Sequence, residues 1–223
     1  MRSEIKLFNM DCMDAMREMG DNQFDLAIVD PPYGIGVNVS MGRRKGDKKS
    51  SYHKFAGEDS TAPDPLYFDE LRRVSKNQII WGANHFIDAF PFMCNSPCWI
   101  VWNKKFSNEV SFASAELAWT SFGSVVKMFE QSPNDPNRIH PTQKPVALYK
   151  WLLKNYAKEG DKILDTHTGS ASIAIACHDA GFDLTGYELD EDYFQAATMR
   201  LDEHRKQGQF EFAEQLVVWI RSV

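Results

Sequence analysis

The sequence predicts an α/β fold built on a doubly wound, mostly parallel sheet, and three observations carry the prediction. Short apolar runs end on carboxylates at Asp30, Asp165 and Glu188, as expected of strands that deliver polar groups to the carboxyl edge of such a sheet. Residues 162–188 read as one complete strand–turn–helix–strand unit. Between the apolar runs lie segments whose apolar residues follow helical spacing instead of alternation.

Residues 5–8 read as a strand, 12–19 as a helix and 24–29 as the strand leading to Asp30. Residues 66–75 place Leu66, Tyr67, Leu71 and Val74 at helical spacing. Strands follow at 78–81, 99–102 and 115–120, and 122–128 reads as the arm of an antiparallel hairpin. Trp81, Trp99, Trp102 and Trp119 are assigned to the core. The turn chemistry of Ser132-Pro-Asn-Asp-Pro-Asn-Arg138 marks a linker. Pro145 suits the first position of a helix through Tyr156, with Leu148, Trp151, Leu152 and Tyr156 as its buried stripe. Ser170 or Ser172 is placed to cap the helix that runs to Ala180, and Gly181 ends it. Residues 184–188 return as a strand, and 191–206 form a further helix. The tail from 210 to 223 is apolar without a period and reads as a strand or a packed arm. One domain over 1–223 is expected: a half from 1 to 131 with a basic loop at 34–59, the linker at 132–138, and a second half from 139 to 223.

At 223 residues and 43% hydrophobic, the chain can bury one sizeable core. No apolar run approaches the ~20 residues that cross a bilayer. The opening Met-Arg-Ser-Glu-Ile-Lys does not read as a signal peptide. Cys94 and Cys98 are spaced as half of a metal site, but Cys12 and Cys177 supply no matching pair. No metal is therefore expected, and the setting is read as reduced and cytoplasmic. A net charge of −6 argues against a protein that coats nucleic acid nonspecifically. The exception is local: Arg43, Arg44, Lys45, Lys48, Lys49 and Lys54 face only Asp47 in a polar, glycine-bearing stretch just after Tyr33. It reads as a basic loop that closes on phosphates.

The chemistry centres on Asp30-Pro31-Pro32-Tyr33. Two prolines remove backbone donors and fix φ for successive residues, so the chain turns sharply where the strand ends. That leaves a carboxylate, free carbonyls and a flat aromatic face together, a combination suited to a planar group carrying an amine. Asp30 and the Pro31 carbonyl can each accept one amine proton while Tyr33 stacks on the ring. Holding both N–H bonds localises the nitrogen lone pair and aims it at an electrophile. In the second motif, Gly169 marks a tight turn and Glu188 follows it by 19 residues. That is near the ~20-residue spacing of a ribose-hydroxyl acceptor in nucleoside-binding crevices.

At these residues the chain resembles the amino-methyltransferases that use S-adenosylmethionine. More specifically, it looks like a small, solitary DNA adenine-N6 methyltransferase of the β-type order, with the catalytic motif ahead of the cofactor motif. Asp30-Pro31-Pro32-Tyr33 matches the catalytic motif, and Arg138-Ile-His-Pro-Thr-Gln-Lys-Pro145 the segment before the cofactor helix. Asp165 to Ser172 matches the cofactor loop, and Gly186-Tyr-Glu-Leu-Asp-Glu-Asp-Tyr193 the ribose-binding strand and its following helix. The family's usual aromatic and second glycine in the loop are His167 and Ala171 here.

The resemblance implies a Rossmann-like methyltransferase sheet in circularly permuted order, with S-adenosylmethionine as cofactor and DNA as partner. It implies Asp30, Pro31, Pro32 and Tyr33 as catalytic. Asp30, Asp165, His167, Gly169, Ser170, Ala171, Glu188 and Asp190 would surround the cofactor, with His140, Thr142 and Lys144 near its carboxylate. Arg43, Arg44, Lys45, Lys48, Lys49 and Lys54 would contact DNA. A duplex base cannot reach such a pocket unless it is flipped out. The rival readings are cytosine-N4 methylation, RNA adenine methylation and a cofactor-binding subunit that only recognises DNA. The family often dimerises and serves restriction–modification; neither oligomeric state nor target sequence is encoded in these motifs.

Overall fold

The computed structural model describes residues 3–36, 61–89, 95–106 and 113–222. Eight strands form one sheet in the order β1-β8-β7-β2-β3-β5-β4-β6. They are β1 (Ile5–Asn9), β2 (Phe24–Val29), β3 (Ser75–Trp81), β4 (Trp99–Asn103), β5 (Ala115–Thr120), β6 (Lys127–Glu130), β7 (Lys162–Asp165) and β8 (Asp183–Glu188). The helices are α1 (Cys12–Glu18), α2 (Pro65–Val74), α3 (Val146–Tyr156), α4 (Ser172–Ala180) and α5 (Glu191–Ser222). β1, β8, β7, β2 and β3 run parallel, while β5 runs against both β3 and β4. The doubly wound, mostly parallel α/β sheet is thus present, with one reversed strand.

Alternation along the strands supplies two cores. Leu26, Ile28, Ile79, Trp81 and Ile163 face α3, α4 and the start of α5, where Leu148, Leu152, Ile173, Ala197 and Leu201 pack. Ala27, Val29, Ile80 and Leu164 face the other way, toward Met16 of α1 and Tyr67, Phe68 and Leu71 of α2. Trp81, Trp102 and Trp119 are buried as expected, and Trp99 is half-buried.

Several local expectations need correction. The stretch at 122–128 does not pair with β5 as a hairpin. β6 instead lies parallel to β4 at the sheet edge, because β3 and β4 already fill both sides of β5. In α2 the Asp64 carboxylate caps the helix by accepting from Leu66 N at 2.9 Å. Leu66 itself is exposed, and the buried stripe is Tyr67, Phe68, Leu71 and Val74. Pro145 is the N-cap of α3 and not its first residue. That helix buries Leu148, Tyr149, Leu152, Leu153 and Tyr156, with Trp151 half-buried against the rim of the core, where it meets Phe129 at 5.7 Å.

No side chain caps α4. Ala171 takes the left-handed conformation (φ 57°), and the Ser170 and Ser172 hydroxyls pair with each other at 3.1 Å. Gly181 stops α4 in the left-handed region, as expected. The tail is neither strand nor arm: α5 continues to Ser222. Residues 211–217, Glu-Phe-Ala-Glu-Gln-Leu-Val, include strong helix formers, and Gly208 does not interrupt them. Among the described residues no helix is long and apolar enough to cross a membrane.

Candidate active site

Asp30, Asp165 and Glu188 emerge at the same edge because β2, β7 and β8 are adjacent and parallel. Pro31 is buried and the Asp30 side chain is 17% exposed. Both Asp30 oxygens have protein partners. The Tyr33 hydroxyl donates to Oδ1 at 2.7 Å, and the Lys144 ammonium donates to Oδ2 in a short bond.

Lys144, expected beside the cofactor carboxylate, reaches the Asp30 carboxylate. Its Nζ also lies 3.1 Å from Glu116 Oε2, and Glu116 Oε1 takes Lys104 Nζ at 2.5 Å. Two cations and two carboxylates thus form one chain, Lys104–Glu116–Lys144–Asp30. Burial opposes the charge on Glu116, but Lys144 and Lys104 outweigh it and hold the carboxyl at about 2. Burial pushes Asp30 upward and Glu116 adds to the rise, against the pull of Lys144 and Tyr33. Burial likewise opposes the charge on Lys144, which Asp30 and Glu116 restore, leaving its pKa raised.

Tyr33 is fixed from several sides. Its ring stacks on His85 at 5.2 Å and 18°, and meets Phe86 edge-on at 6.0 Å. Gly82, just past β3, takes φ 67°, and a Cβ there would sit 2.1 Å from Tyr33 Cε1. Only glycine fits beside this ring.

The cofactor-loop residues converge on the neighbouring strand ends. Asp165 is buried and accepts from His167 N at 3.0 Å. Burial pushes its carboxyl up to about 8, the His167 N–H working against the shift. Glu188 Oε2 accepts from Gly169 N at 2.8 Å and Oε1 from Asp190 N at 3.0 Å, tying the turn to the end of β8. The His140 ring packs on Tyr193 at 4.3 Å, and its Nδ1 meets the Thr142 hydroxyl at 3.1 Å. Burial, with Lys144 and Arg138 nearby, lowers His140 to about 3, and burial lowers His167 to about 4. Both rings are neutral near pH 7. His167 Nδ1 lies 2.9 Å from the Thr166 hydroxyl, which also meets the Tyr67 hydroxyl at 2.6 Å. Ser170 and Ala171 are buried beneath the turn, where Arg200 donates to the Ser170 carbonyl at 2.7 Å. The basic residues Arg43, Arg44, Lys45, Lys48, Lys49 and Lys54 lie outside the described residues, as does Cys94. Cys98 is buried against the Tyr156 hydroxyl at 3.8 Å.

Sequence reasoning missed Lys104, Glu116, Gly82 and Arg200. Glu116 stands at the start of a strand, not at its end. Because β5 is reversed, its first residues share an edge with the last residues of β2 and β3. A search of strand ends passes over it. A second polar cluster lies away from the site, where His178 Nδ1 and His204 Nε2 approach Asp179 Oδ1 at 3.1 and 2.7 Å. Lys150 takes the other oxygen at 2.7 Å.

A carboxylate and tyrosine at one strand end, with a turn-bound carboxylate two strands away, define a transferase of the nucleoside-cofactor class. Comparison with known proteins narrows the class. A family described as DNA methylase, the N6/N4 methyltransferases, matches residues 101–199. The type II methyltransferase M.HpaI of Haemophilus parainfluenzae is 35% identical, the match covering 88% of this chain and 74% of that protein. The chain belongs to the N6/N4 DNA methyltransferase family, whose members draw their methyl group from S-adenosylmethionine. Solved structures share the fold. The M1.HpyAVI–SAM complex superposes with a TM-score of 0.60 at 18% identity, covering 88% of this chain and 99% of that one. The PvuII DNA methyltransferase, described as cytosine-N4-specific, superposes at 0.59 with 10% identity, covering 92% and 91%.

Proposed function

We propose that the chain methylates the exocyclic N6 amine of adenine in DNA, acting on a base flipped out of the duplex. The observation that carries this reading is Asp30: a carboxylate at the first motif position, where related cytosine-N4 enzymes more often have serine. Asp30 and the Pro31 carbonyl accept the two amine protons. Tyr33 supplies the stacking face, with the His85 ring bracing it from its own side; such stacking contributes roughly 1–3 kcal/mol per base. Bound S-adenosylmethionine supplies a methyl group on a sulfonium.

The residues present suit that cofactor. Glu188 at the end of β8 offers the ribose an acceptor already fixed by two backbone N–H groups. Asp165 and the Gly169 turn would hold its amino-acid part. The chain's own task is to hold the amine with its lone pair aimed at that methyl group, whose bond to sulfur would break with the electron pair left on sulfur. Asp30 then takes the proton that the amine gives up. Most of the rate comes from positioning, since alignment alone supplies roughly 7–11 kcal/mol in favourable cases. The basic segment after Tyr33 draws in the phosphates, and a homodimer is compatible with this arrangement.

Labelled methyl transfer to DNA and RNA, followed by nucleoside identification, tests the proposal. Label in N6-methyladenine from DNA is expected. Label in N4-methylcytosine, label only in RNA, or no transfer would each overturn it.

A further inference from the structure

We infer that Glu116 is a positioning residue that takes the Lys144 ammonium away from Asp30 when the target amine arrives. The inference rests on the reading that Asp30 holds that amine. It starts from competition at one carboxylate. Asp30 has its Oδ1 bonded to the Tyr33 hydroxyl and its Oδ2 bonded to Lys144; each oxygen keeps a second lone pair, but an ammonium on Oδ2 weakens it as an acceptor for the incoming amine. The amine is held more strongly when the ammonium moves off, and a buried cation cannot leave for an apolar surrounding.

The Lys144 side chain is 3% exposed, so solvent does not receive it. Glu116 does. Its Oε2 already lies 3.1 Å from Lys144 Nζ, and its other oxygen is fixed by Lys104 at 2.5 Å. A small swing exchanges one carboxylate for the other without unpairing the charge. The Trp81 and Tyr33 rings, whose centroids lie 5.3 and 5.8 Å from Nζ, line the path and attract the cation along it. Lys104 holds the other Glu116 oxygen in place, so the receiving carboxylate is fixed before the ammonium moves. The Tyr33 hydroxyl lies 3.4 Å from both Lys144 Nζ and Glu116 Oε2, within reach of the same partners.

The test compares wild type, Glu116→Gln and Glu116→Asp, measuring kcat/KM for DNA methylation against pH, with calorimetric binding of S-adenosylmethionine as the folding control. Among the described residues, Lys144, Glu116, Tyr33, Tyr149, Tyr67 and Asp165 are the ionisable groups that act on Asp30. Removing the Glu116 charge leaves Lys144 on Asp30 alone, so the plateau should fall about tenfold, the scale of coupling within one charge network. The same change removes a negative neighbour from Asp30, so the acid limb should move to lower pH. Cofactor affinity should stay the same, and Glu116→Asp should recover part of the plateau.

A lower plateau with an unmoved acid limb would mean a merely structural role and would overturn the inference, as would wild-type behaviour of Glu116→Gln. Asp30→Ala separates this failure from that of the underlying reading. If Asp30→Ala is inactive with cofactor affinity intact while Glu116→Gln is unaffected, only the exchange is wrong. If Asp30→Ala remains active, the role of Asp30 itself is wrong.

Discussion

Replacing Gly82 by alanine puts one methyl group where Tyr33 stands. The built Cβ falls 2.1 Å from Cε1, 2.4 Å from Cδ1 and 2.5 Å from Cζ of the ring. Carbon atoms rest at about 3.5–4.0 Å, so the ring must retreat by about 1.4 Å or more. The Tyr33 hydroxyl is held to Asp30 Oδ1 at 2.7 Å, and a shift of that size breaks the bond and tilts the stacking face. A misplacement of about 1 Å can lower a rate about 100-fold, which is the expected loss in kcat. The backbone makes a separate contribution: alanine at φ 67° costs roughly 1–2 kcal/mol of stability. Gly181→Ala isolates that second effect, because Gly181 has φ 79° and nothing within 4 Å of its built Cβ. Urea unfolding of both variants should show similar backbone losses, while single-turnover methyl transfer should collapse in Gly82→Ala alone. Wild-type kcat in a folded Gly82→Ala protein would refute the reasoning, since Tyr33 would then not be pinned by this contact.

Glu188→Ala should weaken cofactor binding by roughly 1–3 kcal/mol, the scale of a lost hydrogen bond to a charged group; unchanged affinity by calorimetry would remove Glu188 from the ribose. Neutralising Arg43, Arg44, Lys48 and Lys49 together should weaken cognate and random DNA alike and flatten the salt dependence by just under one unit per lost phosphate contact; coincident salt slopes would leave the stretch a solvated insertion. His140 provides a pH test. Burial first, then Lys144 and Arg138, lower it from 6.5 to about 3 in the fold, so between those values the unfolded chain binds a proton that the folded chain does not. Its contribution to stability is lost as pH falls through that window. The drop in unfolding free energy from pH 7 to pH 5 should therefore shrink in His140→Gln, and an identical drop would show that His140 is not buried neutral.

What the sequence encoded locally, it encoded well. Asp30-Pro31-Pro32-Tyr33 falls at the end of β2, and Gly169 and Glu188 bond to each other at the two ends of the α4–β8 unit. Gly181 stops α4 because a left-handed stop needs no partner elsewhere in the chain. The misses were long-range. The place of β6 depends on which strand still has a free edge, which no window around residue 127 contains. The partners of Lys144 come from β2 and β5, 114 residues away in one case. The exposed Leu66 shows the same limit: periodicity fixes a stripe, but the neighbouring layer decides which side of that stripe is covered.

The reversed direction of β5 has a consequence for how this protein can change. The chain leaves the working edge of the sheet at Lys104 and comes back to it at Glu116, so the intervening connection is clasped at its root by their 2.5 Å ion pair. Lengthening a connection raises closure entropy only slowly, by about 0.6 kcal/mol for each doubling. Added length between these two residues is therefore expected to leave the sheet folded, provided the clasp survives. A graft that opens it releases Glu116, and through Lys144 the disturbance arrives at Asp30.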